Sequence, residues 1–281
     1  MKMKKTVLKL ILTAGLAALS ITACQPKAAS TETTAANAET KALAEGEIQF
    51  VSAEDTVKAA KGSDVHILDV REWSAYSAGK VANSQWSPIF PLEDASLEGS
   101  LKEYALANLN DGKNIYIVCN SGKRGAEKAT KVLKDAGIEA NKIYTVEGGA
   151  KALSGVKDGL TTNRVEEPID WKYIEGKEFL ALEGAQTLDV RDAQTFAEGH
   201  LADSVNLPLK EIEDAAAQTA VFDYAKSNLD PSKPVYLLCY SGNKCAKTGV
   251  SVLKDAGFDV NNVFIIKDGA KDADISGAFV K

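Results

Sequence analysis

Short, continuous apolar runs recur along most of the chain, with polar turns and helical stretches between them. They lie at 65–70, 115–118 and 143–146, and again at 187–190, 235–238 and 263–266. Continuous runs of this length are typical of strands that are buried on both faces of a parallel sheet. Gly137 and Gly257 stand where a C′ glycine would end the helix after the second run of each set. The pattern predicts an α/β fold in which a parallel sheet flanked by helices is built twice.

Several motifs recur at one constant offset. Asp69-Val70-Arg71 returns as Asp189-Val190-Arg191, Cys119 as Cys239, 132–137 as 252–257 and 149–151 as 269–271, so that each pair differs by 120 positions. A constant offset predicts a gapless tandem duplication of one domain rather than a short-period solenoid.

The N-terminus has the pattern of a signal peptide. Four lysines at positions 2, 4, 5 and 9 precede an uncharged run, 10–21, which is too short to span a bilayer. Ile21-Thr22-Ala23-Cys24 resembles the lipobox of bacterial lipoproteins, in which the cysteine is lipidated and becomes the mature N-terminus. The resemblance implies an extracytoplasmic protein, anchored to a bacterial membrane on the periplasmic side or at the cell surface. An ordinary secretory signal followed by a chance cysteine is the alternative.

Residues 25–46 contain almost no large apolar side chain, so they are predicted to form a flexible tether. The formal net charge of −6 becomes −10 when residues 1–23, with four lysines and no acid, are removed. Such an acidic protein is a poor partner for nucleic acid or anionic lipid, so the predicted membrane contact is the lipid on Cys24 alone.

The predicted organisation is a signal peptide at 1–23, a tether at 24–46, domain 1 at 47–155, a linker at 156–168 and domain 2 at 169–281. The linker is assigned because this stretch is polar, contains glycine and leads to Pro168.

Cys119 lies between a predicted strand and a predicted helix. Loop amides and the free N–H groups of a helix N-terminus favour negative charge at such a turn, and a nucleophilic cysteine reacts as a thiolate. The chain has only two histidines, His66 and His200, so two equivalent Cys-His sites are excluded. The candidate binding residues are therefore those of the two loops: Asn120, Ser121, Gly122, Lys123 and Arg124, and Tyr240, Ser241, Gly242, Asn243 and Lys244. The alternative for Cys119 and Cys239 is a small apolar side chain at a strand end.

Both halves resemble rhodanese domains, which are sulfurtransferases that carry sulfur as a cysteine persulfide. The residues that carry the resemblance are 69–72, 79–84, 119–124 and 147–149 in the first half, and 189–192, 199–204, Pro208 and 239–244 in the second. The resemblance implies catalytic roles for Cys119 and Cys239. We interpret Asp69, Arg71, Asp189 and Arg191 as structural pairs that hold loops together, and His200, which Lys80 replaces in the first half, as a residue satisfied by local hydrogen bonds.

Four residues separate Cys119 from Arg124, and four separate Cys239 from Lys244. Relatives of rhodanese that act as phosphatases or arsenate reductases resemble this pattern but have five, so the short loop favours sulfur over phosphoryl transfer. Lysine lacks the bidentate grip of arginine, which makes Cys119 the better candidate nucleophile. Cys245 is either a packed side chain or a resolving thiol for Cys239, able to close a disulfide or trisulfide in an oxidising compartment.

The sequence therefore predicts an enzyme of the thiosulfate sulfurtransferase type, which moves sulfane sulfur from a donor such as thiosulfate or polysulfide to a thiophilic acceptor. The expected partners are the donor, a thiol acceptor and a thioredoxin-like or sulfur-relay protein. No metal and no organic cofactor is implied, since the chain has neither a ligand cluster nor a phosphate-binding glycine fingerprint. Two alternatives stay open: a non-catalytic sulfur-relay or binding module, and a thiol redox protein that uses Cys239 and Cys245.

Overall fold

The computed structural model describes residues 48–165 and 167–281. The predicted signal peptide, the tether and the lipidation site Cys24 lie outside the described residues. Within the described ranges, no helix is both long and apolar enough to cross a membrane.

Two five-stranded sheets form the framework. The strands of the first sheet are β1 Gln49–Val51, β2 Val65–Asp69, β3 Gln85–Trp86, β4 Asn114–Val118 and β5 Ile143–Val146; those of the second are β6 Lys172–Ile174, β7 Gln186–Asp189, β8 Val205–Asn206, β9 Val235–Leu238 and β10 Val263–Ile266. The strand orders are β1-β5-β4-β2-β3 and β6-β10-β9-β7-β8. Every strand pair is parallel. The predicted α/β fold with two parallel sheets is confirmed.

Helices cover both faces of each sheet. They are α1 Ala53–Ala59, α2 Trp73–Ser77, α3 Ala95–Asn108, α4 Arg124–Asp135, α5 Gly149–Leu153, α6 Gly176–Phe179, α7 Ala193–Glu198, α8 Ala215–Asn228, α9 Lys244–Asp255 and α10 Ala273–Gly277. In the first sheet Ile117 packs with α3 and α4, whereas its neighbour Val118 packs with α1 and α5 on the other face. Successive residues of a strand point to opposite faces, so a strand covered on both faces is apolar at every position.

The helix after each cysteine loop ends as predicted. Gly137 adopts φ +88°, its N–H donates to Lys134 O at 2.9 Å, and Ile138 N–H donates to Leu133 O at 3.1 Å. This is a Schellman motif, which satisfies the last carbonyl groups of α4 and needs a residue that tolerates a positive φ. Gly257 and Phe258 repeat these bonds at the end of α9.

The duplication is not gapless over its whole length. Val51 pairs with Val146 and Ile174 pairs with Ile266, so the first strands of the two domains differ by 123 positions rather than 120. Domain 2 therefore has three residues fewer between its first two strands, where the seven-residue α1 is replaced by the four-residue α6. The expectation of a gapless repeat was wrong here because its motifs begin only at Asp69, the last residue of β2.

The predicted linker, residues 156–168, forms part of the contact between the two domains. Lys80 and Thr161 exchange backbone hydrogen bonds of 3.0 and 2.8 Å. The Arg164 side chain is buried, and it donates to Gln218 Oε1 at 2.7 Å and to Asp255 Oδ2 at 2.6 Å. The polar composition of residues 156–168 had indicated a solvent-exposed connecting segment. In the structure, polar groups of this segment instead form hydrogen bonds with both domains.

Glu167 joins a cation from each domain. Its carboxylate lies 2.9 Å from Lys80 Nζ and 2.7 Å from Lys254 Nζ. Burial raises the pKa of Glu167, but Lys80, Lys254 and Arg164 outweigh that effect and hold it well below its ordinary value of 4.5. The carboxylate therefore stays ionised inside the contact.

An aromatic stack completes this contact. Trp73 of α2 lies parallel to Phe222 of α8, with ring centroids 3.9 Å apart, and its indole N–H donates to Thr219 Oγ1 at 3.2 Å. Stacked rings of this kind add to the stabilisation that their buried area provides.

Candidate active site

Cys119 directly follows β4 and is separated from α4 by four loop residues. Its side chain is only 2 % exposed, whereas Asn120, Ser121, Lys123 and Arg124 are exposed. The sulfur therefore lies at the base of a loop whose other side chains face solvent.

The turn that follows β5 packs against the backbone of this loop. Gly149 adopts φ +58°, and the next residue, Ala150, donates its N–H to Cys119 O at 2.8 Å. A Cβ at position 149 would collide with Cys119 O and would lie 2.7 Å from Gly122 N. Only glycine combines the positive φ with this close approach, so the turn fixes the loop backbone.

The loop surrounds a pocket of about 300 Å³. Its lining residues are Phe90, Cys119, Asn120, Ser121, Lys123, Arg124 and Gly125. The pocket lies at the N-terminus of the 12-residue helix α4, where free N–H groups and the helix dipole favour an anion. Lys123 and Arg124 add two cationic side chains at the rim, so the pocket suits a small anionic sulfur compound.

The second loop has the same backbone. Gly242 adopts φ +60°, against +67° at Gly122, and Ala270 N–H donates to Cys239 O at 2.8 Å as Ala150 does to Cys119. Cys239 is 2 % exposed, and Asn243 N–H points to its Sγ at 3.3 Å. A backbone amide directed at sulfur stabilises a thiolate.

The side chains around the second loop differ. The Tyr240 hydroxyl donates to Asp192 Oδ2 and accepts from Asp192 N–H at 2.8 Å. The hydrogen bond from Tyr240, together with those from Thr195, holds the pKa of Asp192 well below its ordinary value of 3.8. Lys210 Nζ lies 3.3 Å from the same carboxylate. The second loop therefore has an ionised carboxylate bound to the residue after its cysteine, where the first loop has the exposed Asn120.

The Asp-Arg pairs lie at the ends of β2 and β7. Arg71 Nη2 donates to Asp69 Oδ2 and to Gly79 O, both at 2.7 Å, and Arg191 makes the equivalent bonds to Asp189 and Gly199. Burial raises the pKa of Asp69, against the opposing effect of Arg71. These contacts tie each strand end to the loop after the next helix.

The comparison with known protein families agrees with this geometry. The family described as "Rhodanese-like domain" matches residues 52–155 and 175–273, which is more than half of the chain. The chain belongs to the rhodanese-like family.

Two curated relatives carry the description "Thiosulfate sulfurtransferase GlpE". The protein of Pseudomonas savastanoi pv. phaseolicola is 39 % identical over 97 residues, which span 34 % of this chain and 81 % of that protein. The protein of Pseudomonas entomophila is 31 % identical over 102 residues, which span 36 % and 82 %. The crystal structure of SseA from Escherichia coli is 19 % identical, covers 79 % of this chain and 98 % of that chain, and has a TM-score of 0.34. A likeness at this level supports no conclusion about function.

In the second rhodanese-like domain, Cys245 lies in the first turn of α9, six positions after Cys239. Its side chain is half-buried and packs against the domain core. Burial, and then the negative charge of Cys239, raise the pKa of Cys245 to about 11. Cys245 therefore carries its proton at neutral pH.

His200 and Lys80 occupy equivalent positions but have different surroundings. His200 Nδ1 lies 3.1 Å from Phe196 O, and its ring stacks on that of Phe196. Lys80 is 1 % exposed and is bound in the contact between the domains.

Phe90 is the pocket residue that the sequence did not reveal. It follows β3 and packs against Gly125 at the start of α4, where a Cβ would lie 2.5 Å from Phe90 Cε2. The only signal in the sequence is Gly125 itself, because a glycine inside the first turn of a helix indicates a close neighbour.

Across the described ranges, 48–165 and 167–281, no group of three or more histidine, cysteine, aspartate or glutamate side chains could hold a metal ion.

Proposed function

We propose that this protein is a sulfurtransferase that carries sulfane sulfur as a persulfide on Cys119. The observation that carries the proposal is the buried Cys119 at the base of a pocket of about 300 Å³, with Lys123 and Arg124 at its rim and a helix N-terminus beside it. The two relatives described as thiosulfate sulfurtransferases support it.

The reaction is a double displacement. The Cys119 thiolate attacks the outer sulfur of thiosulfate, the sulfur-sulfur bond of the donor breaks, and sulfite leaves with the electron pair. The resulting persulfide is anionic and is stabilised by the same N–H groups that favour the thiolate. A thiol or cyanide then attacks the outer sulfur, and Cys119 leaves as the thiolate.

The two loops differ in donor recognition. Arg124 can form two parallel hydrogen bonds to the oxygens of thiosulfate, whereas Lys244 acts as a single point charge. The Asp192 carboxylate, which accepts a hydrogen bond from Tyr240, also pairs with Lys210 at 3.3 Å and so offsets the positive charge of that side chain at the second loop. We therefore propose Cys119 as the site that uses thiosulfate, and Cys239 as an acceptor for less charged donors such as a protein or thiol persulfide.

The lipid anchor on Cys24 and a thioredoxin-like acceptor remain proposals drawn from the sequence. Both agree with an extracytoplasmic carrier that passes sulfur to a thiol.

Steady-state formation of thiocyanate from thiosulfate and cyanide tests the proposal. We expect the Cys119→Ser variant to lose activity by about a thousandfold or more, because no nucleophile remains in the first pocket. The matched variant Cys239→Ser should keep most of the wild-type rate. Equal losses in both variants would contradict the ranking of the two loops, and full activity of Cys119→Ser would refute the proposal.

A further inference from the structure

Cys245 occupies the position that Gly125 occupies in the first loop, 120 residues earlier. The backbones of the two loops agree closely. Lys123 and Asn243, the residues before the two helices, have φ/ψ of −128/−128° and −130/−125°. The distance between the cysteine and the residue six positions later in the first loop is therefore a guide to that distance in the second loop.

The first loop shows how close the two positions are. A Cβ at Gly125 would lie 3.2 Å from the Cβ of Cys119. Cysteines joined by a disulfide have their β-carbons about 3.5 to 4.5 Å apart. By the match of the loops, the β-carbons of Cys239 and Cys245 lie within a small adjustment of that range.

The second loop also has room for the side chain of Cys245. In the first loop the Phe90 ring fills the space, since a Cβ at Gly125 would lie 2.5 Å from Phe90 Cε2. The equivalent of Phe90 is Lys210, whose Nζ lies 3.3 Å from Asp192 Oδ2. The exchange of phenylalanine for lysine and of glycine for cysteine therefore places a second thiol beside Cys239 and leaves Cys119 without one.

We propose that Cys245 resolves a persulfide on Cys239 and releases its outer sulfur as sulfide. The inference rests on the proposed function, because it needs sulfur to be loaded on Cys239. The persulfide anion on Cys239 first takes the proton of Cys245. The Cys245 thiolate formed in this way attacks Sγ of Cys239, the bond from that Sγ to the outer sulfur breaks, and a Cys239–Cys245 disulfide forms. The outer sulfur leaves with the electron pair as hydrosulfide, which carries the proton that came from Cys245. The two cysteines are oxidised and the sulfane sulfur is reduced to sulfide, so atoms and electrons balance.

The rest of the loop is consistent with this step. Burial raises the pKa of Cys245, so its thiolate forms by proton transfer to the persulfide anion on Cys239 rather than by loss of the proton to water. Cys239 is only 2 % exposed, so a neighbour in the same loop reaches it more readily than an external thiol does. A dithiol is then required to reduce the disulfide and start another cycle. The first domain would thus pass sulfur on, while the second would release it as sulfide at the expense of a dithiol.

The test uses the full-length Cys119→Ser protein, in which the second loop is the sulfur-loading site. The reduced protein is loaded with inorganic polysulfide and desalted, and the released sulfide is measured with no reductant present. We expect about one sulfide per protein and a Cys239–Cys245 disulfide. Trypsin cleaves after Lys244, so the disulfide joins two otherwise separate peptides and is identified by mass spectrometry.

The matched control is the Cys119→Ser, Cys245→Ser double variant. We expect it to release sulfide at least tenfold more slowly and to retain the persulfide on Cys239. A second measurement, independent of sulfur loading, treats the Cys119→Ser protein with the thiol oxidant diamide and looks for the same linked peptides.

Three outcomes would overturn the inference: equal sulfide release from the two variants, a Cys239 that accepts no sulfur, or two loop cysteines that stay separately alkylatable after diamide. Failure of the proposed function is recognised separately. The Cys239→Ser protein reports loading of Cys119 alone, so sulfur on Cys119 with none on Cys239 would leave the first proposal standing and remove the second.

Discussion

Arg124 and Lys244 are equivalent residues that differ in how they bind an anion. A planar guanidinium binds two oxygens of thiosulfate at once, whereas an ammonium group offers one charge centre. We expect Arg124→Lys to raise the KM for thiosulfate by about tenfold, or about 1.4 kcal/mol, with a smaller change in kcat. Kinetics with thiosulfate and with polysulfide measure the effect, which should be weaker for polysulfide because it lacks the sulfonate oxygens.

The reciprocal variant is the control for this prediction. Lys244→Arg in the Cys119→Ser background should improve the use of thiosulfate by Cys239, although the Asp192 carboxylate limits the gain. An unchanged KM in Arg124→Lys would show that this side chain does not bind the donor.

At the scale of single residues, the sequence predicts what is encoded locally. Cys119 and its loop could be found because a cysteine between an apolar run and a helical stretch is a contiguous signal, present twice. Phe90 and the pair formed by Asp192 and Tyr240 could not, because they depend on contacts between distant segments. Asp192 and Tyr240 lie 48 positions apart, and no pattern along the chain joins them.

The glycine turn after β5 is the element on which the cysteine loop depends. Gly149→Ala would add both backbone strain at φ +58° and a collision with Cys119 O. We expect a loss of about 3 kcal/mol or more in the free energy of unfolding, together with loss of sulfur loading. Urea unfolding measures the first effect.

Gly137→Ala is the matched control for the turn. Gly137 has φ +88° but no heavy atom within 4 Å of an added Cβ, so only the conformational strain applies, at about 1 kcal/mol. Equal losses in the two variants would show that the close approach to Cys119 does not matter.

The more deeply a strand is buried, the more easily it could be predicted from the sequence. The three central strands of each sheet lie between other strands and under helices, so their apolar runs are continuous. The edge strands β1, β3, β6 and β8 have two or three residues, most of them only partly buried, which is too short for a period to be recognised. The shortened segment of domain 2 was missed for the same reason, since it joins an edge strand to the sheet.

At the scale of the whole molecule, a buried ionic network binds the two rhodanese-like domains to each other. Asp255 accepts from Arg164 at 2.6 Å, and both side chains are almost fully buried. Asp255→Asn would leave the guanidinium inside the contact without a full counter-charge. We expect a loss of about 3 kcal/mol in the free energy of unfolding, measured by denaturant unfolding.

Asp135 is the equivalent of Asp255 in domain 1 and is the matched control. Its side chain is 56 % exposed and pairs with Lys131 at 3.3 Å within one helix. We expect Asp135→Asn to cost less than about 0.5 kcal/mol. A small effect of Asp255→Asn, similar to that of Asp135→Asn, would show that the network does not hold the domains together.

The contact between the domains could not be predicted from the sequence. Residues 156–168 have the polar composition of a connecting segment, and composition does not distinguish polar groups that face water from those that bind one another. The contact becomes evident only from the three-dimensional positions of Lys80, Lys254 and Asp255 around this segment.

The most direct test of the central claim is the mass of the full-length Cys239→Ser protein after incubation with thiosulfate and rapid desalting. We predict the addition of one sulfur atom, mapped by peptide analysis to Cys119, and its complete removal by cyanide with formation of thiocyanate. The Cys119→Ser, Cys239→Ser double variant should gain no sulfur at either loop. An unmodified Cys119 after treatment with thiosulfate and with polysulfide, or a sulfur adduct that cyanide does not remove, would contradict the account.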